Sequence, residues 1–94
     1  MYGLIARFTA HPGKREEVAT LMVSGGAPLG CRSFVVANDP GDPDAIWITE
    51  VWDSEEAWKA SFDLPAVKAS IDKVVPLIAV FGEPTVTAPV AILP

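Results

Sequence analysis

The feature that most limits the fold is a pair of strand-like segments, residues 31–39 and 45–53, separated by the turn sequence PGDPD. The first segment reads CRSFVVAND and the second reads AIWITEVWD, and both are rich in the β-branched and aromatic residues that favour strands. Proline, glycine and aspartate are the residues that tight turns prefer. The sequence therefore predicts an antiparallel hairpin over residues 31–53.

The segments on either side of this hairpin predict the remaining elements. Residues 2–10, YGLIARFTA, are typical of a strand, and residues 14–26 are typical of a helix that ends at two glycines. After the hairpin, Asp53 or Ser54 is expected to cap a further helical region, which DLP interrupts. The sequence FGEPTVTAP at residues 81–89 predicts a last strand at a sheet edge, because its prolines lack a backbone donor.

The resulting β-α-β-β-α-β order is that of the ferredoxin-like sandwich, an α+β fold in which both helical regions cover one face of the sheet. Right-handed connections would place the first and third strands side by side in the middle of the sheet. The 94 residues are expected to form one domain, residues 1–94.

The predicted strands are apolar on both faces. The first strand has one wholly apolar face, formed by Leu4, Ala6 and Phe8, and one mixed face that contains Arg7. A sheet with one face in water would alternate more cleanly between apolar and polar residues. Since no other segment is left to cover the bare face, the sequence predicts a homodimer in which the sheets of two copies pack face to face.

Composition excludes several classes of partner. The net charge is −5, with 7 basic and 12 acidic residues and no basic run, so neither nucleic acid nor an anionic membrane is an expected partner. No apolar run reaches the length of about 18–20 residues that spans a bilayer, and we expect a cytoplasmic protein. The single cysteine, Cys31, and the single histidine, His11, provide no cluster for a metal, so no metal site is expected unless carboxylates alone supply its ligands.

Three stretches together resemble a known family: YGLIARFTAHPGKREEV, GCRSFVVANDPGDPDAIWITEVWDSEEAWKAS and LPAVKA. They are similar to the antibiotic biosynthesis monooxygenase domain family, small dimeric α+β barrels that include quinol monooxygenases and polyketide anthrone oxygenases. The resemblance spans nearly the whole chain. It implies oxidation of a small quinol, anthrone or similar electron-rich aromatic by O₂ without metal, flavin or haem, through ionisation of the substrate in an apolar pocket and electron transfer to O₂.

The chain departs from this family at one position. Many members carry a histidine on the helix that follows a Glu-x-Trp strand, nine residues beyond the tryptophan. Here Glu50 and Trp52 are present, but the corresponding helical residue is Ser61, and His11 lies in a turn. The missing histidine favours an alternative, a non-catalytic dimeric barrel that binds a small ligand or acts as an accessory subunit. An isomerase or aldol-type lyase on the same scaffold is a third hypothesis.

Glu50 has two interpretations. If the strand face that carries Glu50 and Trp52 meets the partner sheet, Glu50 lies beside Arg7 and the two form an ion pair at the interface. If that face instead lines an apolar pocket, desolvation raises the pKa of Glu50 and makes it a candidate catalytic base. We expect the first arrangement, because the wholly apolar face of the first strand should be the one that meets the helices.

A pocket for a small apolar ligand is expected between the sheet and the helices. Ser61, a candidate catalytic residue, is the polar group on the helical stripe that carries Trp58 and Phe62. Its hydroxyl either donates to a substrate oxygen or bonds back to its own helix. The residues expected in the pocket wall are Phe8, Phe34 (or Val35), Trp47, Trp58 and Phe62. For each aromatic residue among them, packing in the core is the alternative role.

Overall fold

The computed structural model describes residues 1–94 and contains five strands and three α-helices. A short 3₁₀ turn, Val75–Leu77, connects the last helix to the strand that follows it. The elements in chain order are β1 (Tyr2–Ala10), α1 (Arg15–Val23), β2 (Cys31–Asn38), β3 (Ala45–Trp52), α2 (Glu55–Ser61), α3 (Pro65–Val74), β4 (Ile78–Phe81) and β5 (Thr85–Thr87).

The strands form one antiparallel sheet in the order β2-β3-β1-β4, with β5 also paired to β1. β1 and β3 are the central strands, and β2 and β3 form the predicted hairpin. This arrangement confirms the ferredoxin-like α+β fold. Directly opposite residues of paired strands project from the same face of a sheet, so the register, which places Leu4 opposite Glu50 and Phe34 opposite Glu50, defines that face.

The prediction of one last strand at residues 81–89 is wrong in its bounds. β4 and β5 are two short strands, and they pair with different parts of β1, around Phe8–Ala10 and Gly3–Ile5. The chain between them passes very close to β1, since a Cβ atom at Gly82 would collide with the backbone carbonyl oxygen of Arg7. Glycine therefore permits this close approach, and it interrupts the strand.

Helix α2 begins at the second of its two predicted caps. Ser54 is the N-cap, and its hydroxyl oxygen accepts a hydrogen bond of 3.1 Å from the backbone N–H of Ala57. Asp53 does not cap the helix. Helix α3 has Pro65 in its first turn, as expected of a residue whose missing N–H would have no helical partner there.

The buried core lies between the helices and one face of the sheet. Val18 of α1 and Val74 of α3 pack there against Ile46 and Ile48 of β3. The opposite face has no covering element and exposes large apolar side chains. These are Ile5, Val35, Trp47 and Val80. None of the helices is both long and apolar enough to cross a membrane.

The predicted ion pair between Arg7 and Glu50 is wrong. Arg7 lies opposite Trp47 on the exposed sheet face, whereas Glu50 lies opposite Leu4 on the face that meets the helices. Successive residues of a strand project to opposite faces, so an odd-numbered residue of β1 cannot share a side with Glu50 in this register. Arg7 instead donates to the carboxylates of Asp39 and Asp42, each at 3.1 Å.

Candidate functional site

A cavity of about 690 Å³ lies between the helix-facing side of the sheet and the three helices. Its volume falls within the range of about 300–1,000 Å³ that small-molecule sites occupy. Of its 30 lining residues, 20 are hydrophobic, so the cavity favours an apolar or aromatic guest. Strands β1–β4 form one side of it. The three helices and the loop after α1, residues 24–28, form most of the other side.

Glu50 lies on the sheet side of this cavity and is the only acidic residue among the lining residues. Its Oε1 accepts a hydrogen bond of 3.0 Å from the indole Nε1 of Trp52, two residues along the same strand. Burial raises the pKa of Glu50 above its ordinary value of 4.5, and the bond from Trp52 opposes that rise. The residue therefore combines a fixed orientation with a basicity greater than that of an exposed carboxylate.

Ser61 also lines the cavity, at the end of α2, and its exposed fraction is only 5%. Its hydroxyl donates a hydrogen bond of 2.6 Å to the backbone carbonyl oxygen of Trp58, one turn earlier. This is the second of the two arrangements that the sequence left open. Because the proton is held by the helix, the Ser61 oxygen faces a ligand as an acceptor rather than a donor.

Four of the five predicted aromatic residues line the cavity: Phe8, Phe34, Trp58 and Phe62. Trp58 and Phe62 are in edge-to-face contact, with ring centroids 5.3 Å apart, and Tyr2 packs against the other side of Trp58 at 5.4 Å. Such pairs hold large rings in fixed positions. Phe34, rather than Val35, is the wall residue of β2, because Phe34 lies opposite Glu50 in the hairpin register.

The expected place of Trp47 in the cavity wall is wrong. Trp47 lies on the exposed sheet face, 41% exposed, and its Nε1 donates to Asp39 Oδ2 at 3.1 Å. Glu50 comes three positions after Trp47 in one regular strand. Residues an odd number of positions apart in a strand project to opposite sides. The sequence interpretation assigned Glu50 to the interface and Trp47 to the pocket. The structure places Glu50 in the cavity wall and Trp47 on the exposed sheet face.

Sequence analysis missed Ser70 as a site residue. Ser70 of α3 lines the cavity and is half-buried, and its hydroxyl makes no hydrogen bond within the chain. It follows Val67 by three residues and precedes Val74 by four, so helical spacing alone places it on the apolar side of α3. That spacing was available in the sequence and would have identified Ser70 as a polar group facing the site.

Cys31 and Arg32 also line the cavity, at the start of β2, and neither was predicted to do so. Burial, and then the negative charge of Glu50, raise the pKa of the Cys31 thiol. The thiol therefore stays in its protonated, less reactive form. Alternation from Phe34 would place Cys31 on the other face of the sheet. The register shift between Cys31 and Ser33 brings Cys31 opposite Trp52 instead, so strand alternation alone provides no signal for its position.

No group of three or more histidine, cysteine, aspartate or glutamate side chains is placed to hold a metal ion. The polar groups of the site are instead a carboxylate, a thiol, a guanidinium and several hydroxyls, distributed around an apolar interior. Such a set can bind an aromatic ring and can exchange a proton with it through Glu50.

The family model described as antibiotic biosynthesis monooxygenase matches residues 1–73 of the chain. The chain belongs to this family. It is 49% identical to a candidate antibiotic biosynthesis monooxygenase from Chloroflexus aurantiacus J-10-fl. That similarity covers 99% of this chain and 96% of the other, with a TM-score of 0.95 between the two structures. The similarity in both sequence and structure confirms the resemblance that the sequence motifs carry.

More distant structures share the fold of this antibiotic biosynthesis monooxygenase family member. A candidate family member from Deinococcus radiodurans is 22% identical, covering 100% of this chain and 97% of the other, with a TM-score of 0.77. A protein from Mycobacterium tuberculosis is 22% identical over 97% and 96% of the two chains, with a TM-score of 0.75. No curated protein sequence matches this chain significantly. Family membership supports a monooxygenase-like function.

Proposed function

We propose that this chain is a cofactor-independent monooxygenase that oxidises a small quinol, anthrone or similar electron-rich aromatic with O₂, and that Glu50 is its base. The observation that carries this proposal is the position of Glu50, the only carboxylate in a largely apolar cavity with aromatic side chains in its wall. A carboxylate whose pKa is raised by burial is a better match to a weakly acidic phenol or ketone than an exposed one.

The reaction can be written for an anthrone so that atoms and electrons balance. Glu50 removes a proton from the ring CH₂ group and leaves a carbanion that is delocalised onto the ketone oxygen as an enolate. The carbanion transfers one electron to O₂, and the resulting radical pair combines to form a C–O bond and a peroxide, which takes the proton back from Glu50. Loss of water from this hydroperoxide gives the quinone carbonyl, so that anthrone and O₂ become anthraquinone and H₂O.

The cavity also offers hydrogen-bond partners for the ionised substrate. Its apolar walls exclude water and hold the ring against Trp58 and Phe62, while ionisation of a substrate in such surroundings needs a nearby hydrogen-bond donor. The free hydroxyl of Ser70 is the proposed donor to the enolate oxygen. Ser61, whose own proton is held by Trp58, is proposed to accept a hydrogen bond from a substrate hydroxyl.

Oxygen uptake tests this proposal. Purified protein, free of added metal and flavin, is offered a panel of hydroquinones and anthrones, and wild type is compared with Glu50→Gln. We expect uptake by wild type on at least one substrate, with stoichiometric quinone formation, and a loss of about a hundredfold or more in the variant. Absence of uptake across the panel, or equal rates for the two proteins, would overturn the proposed chemistry.

A second candidate function is binding of a small aromatic without turnover. Two observations favour it: the serine at position 61, where many relatives carry histidine, and the hydrogen bond from Trp52 that opposes the rise in the pKa of Glu50. Calorimetry separates the two functions, because a binding protein would take up the aromatic with a defined stoichiometry and consume no O₂.

The same proposal includes a homodimer formed through the sheet faces. The sheet surface opposite the helices exposes Trp47 at 41%, Val35 at 51% and Val80 at 58%. An apolar surface of this kind on so small a chain is typical of a partner site. A second copy of the same sheet would cover it. An obligate interface of that kind buries about 2,000 Å² or more in total.

A further inference from the structure

Two charged side chains, Glu50 and Arg32, are found among the 30 residues that line the cavity. Glu50 is partly buried on the sheet side, whereas the Arg32 side chain is 54% exposed and therefore lies at the rim. The other cationic side chains of the chain are absent from the cavity lining. These are Arg7, Lys14, Arg15, Lys59, Lys68 and Lys73.

A β-bulge lies at Arg32, next to Cys31 at the start of β2. The register between β2 and β3 shifts between Cys31, which lies opposite Trp52, and Ser33, which lies opposite Val51. Arg32 is the extra residue and has no partner on β3. Alternation from Phe34 along β2 would place Arg32 on the cavity side and Cys31 on the exposed face, whereas with the extra residue both side chains line the cavity. Bulges commonly change the direction of a side chain in this way.

Asp53 orients the guanidinium of Arg32. Nε of Arg32 donates to Oδ1 of Asp53, whose backbone N–H is in turn fixed by a hydrogen bond of 2.8 Å to the carbonyl of Gly30. The Nη1 and Nη2 atoms of Arg32 donate to no group of the chain. One edge of the planar guanidinium is therefore held by Asp53, and the other edge is free for a second, bidentate partner.

We propose that Arg32 is a specificity residue that binds an anionic substituent, above all a carboxylate, on an aromatic ligand whose ring occupies the cavity. The ligand would then lie with its carboxylate at the rim and its reacting group toward Glu50. The positive charge of Arg32 attracts the carboxylate of the ligand, and the negative charge of Glu50 repels it. The part of this inference that concerns the reacting ring rests on the proposed function. The part that concerns recognition of an anion rests only on the geometry of Arg32.

The physical argument is one of complementarity. A guanidinium presents two parallel N–H donors to a carboxylate, and the bond is charge-assisted. The chain carries a net charge of −5, so an anion finds few favourable positions on its surface. Burial of a carboxylate among the apolar walls would cost free energy because the charge would lose its contact with water. A carboxylate at the rim keeps that contact while the ring of the ligand is buried.

Isothermal calorimetry with a matched pair of probes tests the inference. The probes are 2-naphthol and 6-hydroxy-2-naphthoate, which share one ring system and differ by the carboxylate. We expect Arg32→Gln to weaken binding of the naphthoate relative to the naphthol by about tenfold. Arg32→Lys, which keeps the charge without the planar fork, should lose part of this preference. Lys68→Gln removes one positive charge outside the cavity and should leave the preference unchanged.

Circular dichroism and thermal melts establish that each variant is folded before titration. If Arg32→Gln changed the affinities for both probes equally, or if Lys68→Gln had the same effect as Arg32→Gln, the inference would be overturned. If the wild type bound neither probe, the inference would be overturned as well. Oxygen uptake is measured separately, so an Arg32-dependent preference without any uptake would remove the proposed monooxygenase while leaving the anion site in place.

Discussion

Trp52 donates its indole N–H to Oε1 of Glu50 across 3.0 Å, and the two side chains lie on the same, helix-facing side of β3. Trp52 is itself buried, with an exposed fraction of 3%, so its indole cannot easily turn away. The bond favours the ionised carboxylate, whereas burial disfavours it, and burial has the larger effect on the pKa. Trp52 thus positions Glu50 and also limits how basic it becomes.

Trp52→Phe should move the acid limb of the activity profile to higher pH. The substitution removes the only hydrogen bond that lowers the pKa of Glu50, while burial continues to raise it. A base is active in its ionised form, so the rate at mildly acidic pH should fall more than the rate at alkaline pH. The measurement is oxygen uptake against pH for both proteins. A uniform loss at every pH would show a packing defect instead.

Glu50→Gln should stabilise the folded chain at neutral and alkaline pH. Since the pKa of Glu50 is raised on folding, the stability associated with it is complete below the unfolded-state value and is lost as pH rises through the folded-state value. Glutamine carries no charge and keeps an oxygen that can accept from Trp52. Its free energy of unfolding should therefore exceed that of wild type above the folded-state pKa, and this difference should shrink toward acidic pH.

Urea titrations at several pH values check this expectation. Glu56→Gln, an exposed change of the same chemistry on α2, is the matched control and should show no comparable gain. A lower stability of Glu50→Gln at neutral pH would mean that the charged carboxylate has a stabilising partner, in contradiction to its isolation in the cavity.

The order of the elements could be predicted from sequence because it depends on local chemistry. The PGDPD turn, the paired glycines after α1 and Pro65 in the first turn of α3 each fix a boundary without help from the rest of the fold. The division of the last strand could not be predicted in this way. It depends on the close approach of Gly82 to the backbone of Arg7, which lies 75 residues away along the chain.

The strand faces were the weak point of the sequence interpretation, and the reason is physical. β3 is apolar on both sides, so alternation does not distinguish the side that meets the helices, and an error of one residue moves every side chain to the other face. Glu50 and Trp47 were exchanged for that reason. The bulge at Arg32 adds a second difficulty, because an extra residue in β2 changes the parity on one side of it.

Ser61→Ala should change the rate of oxidation at saturating substrate by less than about threefold, because the Ser61 proton is already donated to the carbonyl of Trp58 and cannot stabilise the enolate. The acceptor contact that the variant loses affects substrate binding rather than this rate. Ser70→Ala is the matched comparison, since Ser70 lines the same cavity with a free hydroxyl. We expect it to cost about tenfold or more. Oxygen uptake at saturating substrate measures both. The reverse order of effects would mean that Ser61 turns toward the substrate and that its helix bond is broken in the complex.

Asp39→Ala should lower the melting temperature at neutral pH. Asp39 accepts hydrogen bonds from the backbone N–H of Gly41, from Arg7 and from Trp47, and these bonds lower its pKa below 3.8. The stability they provide is present above that ordinary value and is lost as pH falls through the lowered pKa. The difference between variant and wild type should therefore narrow in acid. Asp72→Ala, an exposed change on α3, is the control, and an equal shift for both would contradict the role of Asp39.

Ile5→Glu should convert a dimer into monomers if the sheet faces form the interface. Ile5 is 37% exposed on the central strand β1, on the face opposite the helices, so a carboxylate there would be buried without a partner between two sheets. Leu29→Glu is the matched control, because Leu29 is 95% exposed in the loop before β2 and lies off the sheet. Sedimentation velocity at micromolar concentration should give a dimer for wild type and for Leu29→Glu, and a monomer for Ile5→Glu. A folded wild-type monomer at that concentration would refute the proposed assembly, and a dimer that survives Ile5→Glu would place its interface elsewhere on the chain.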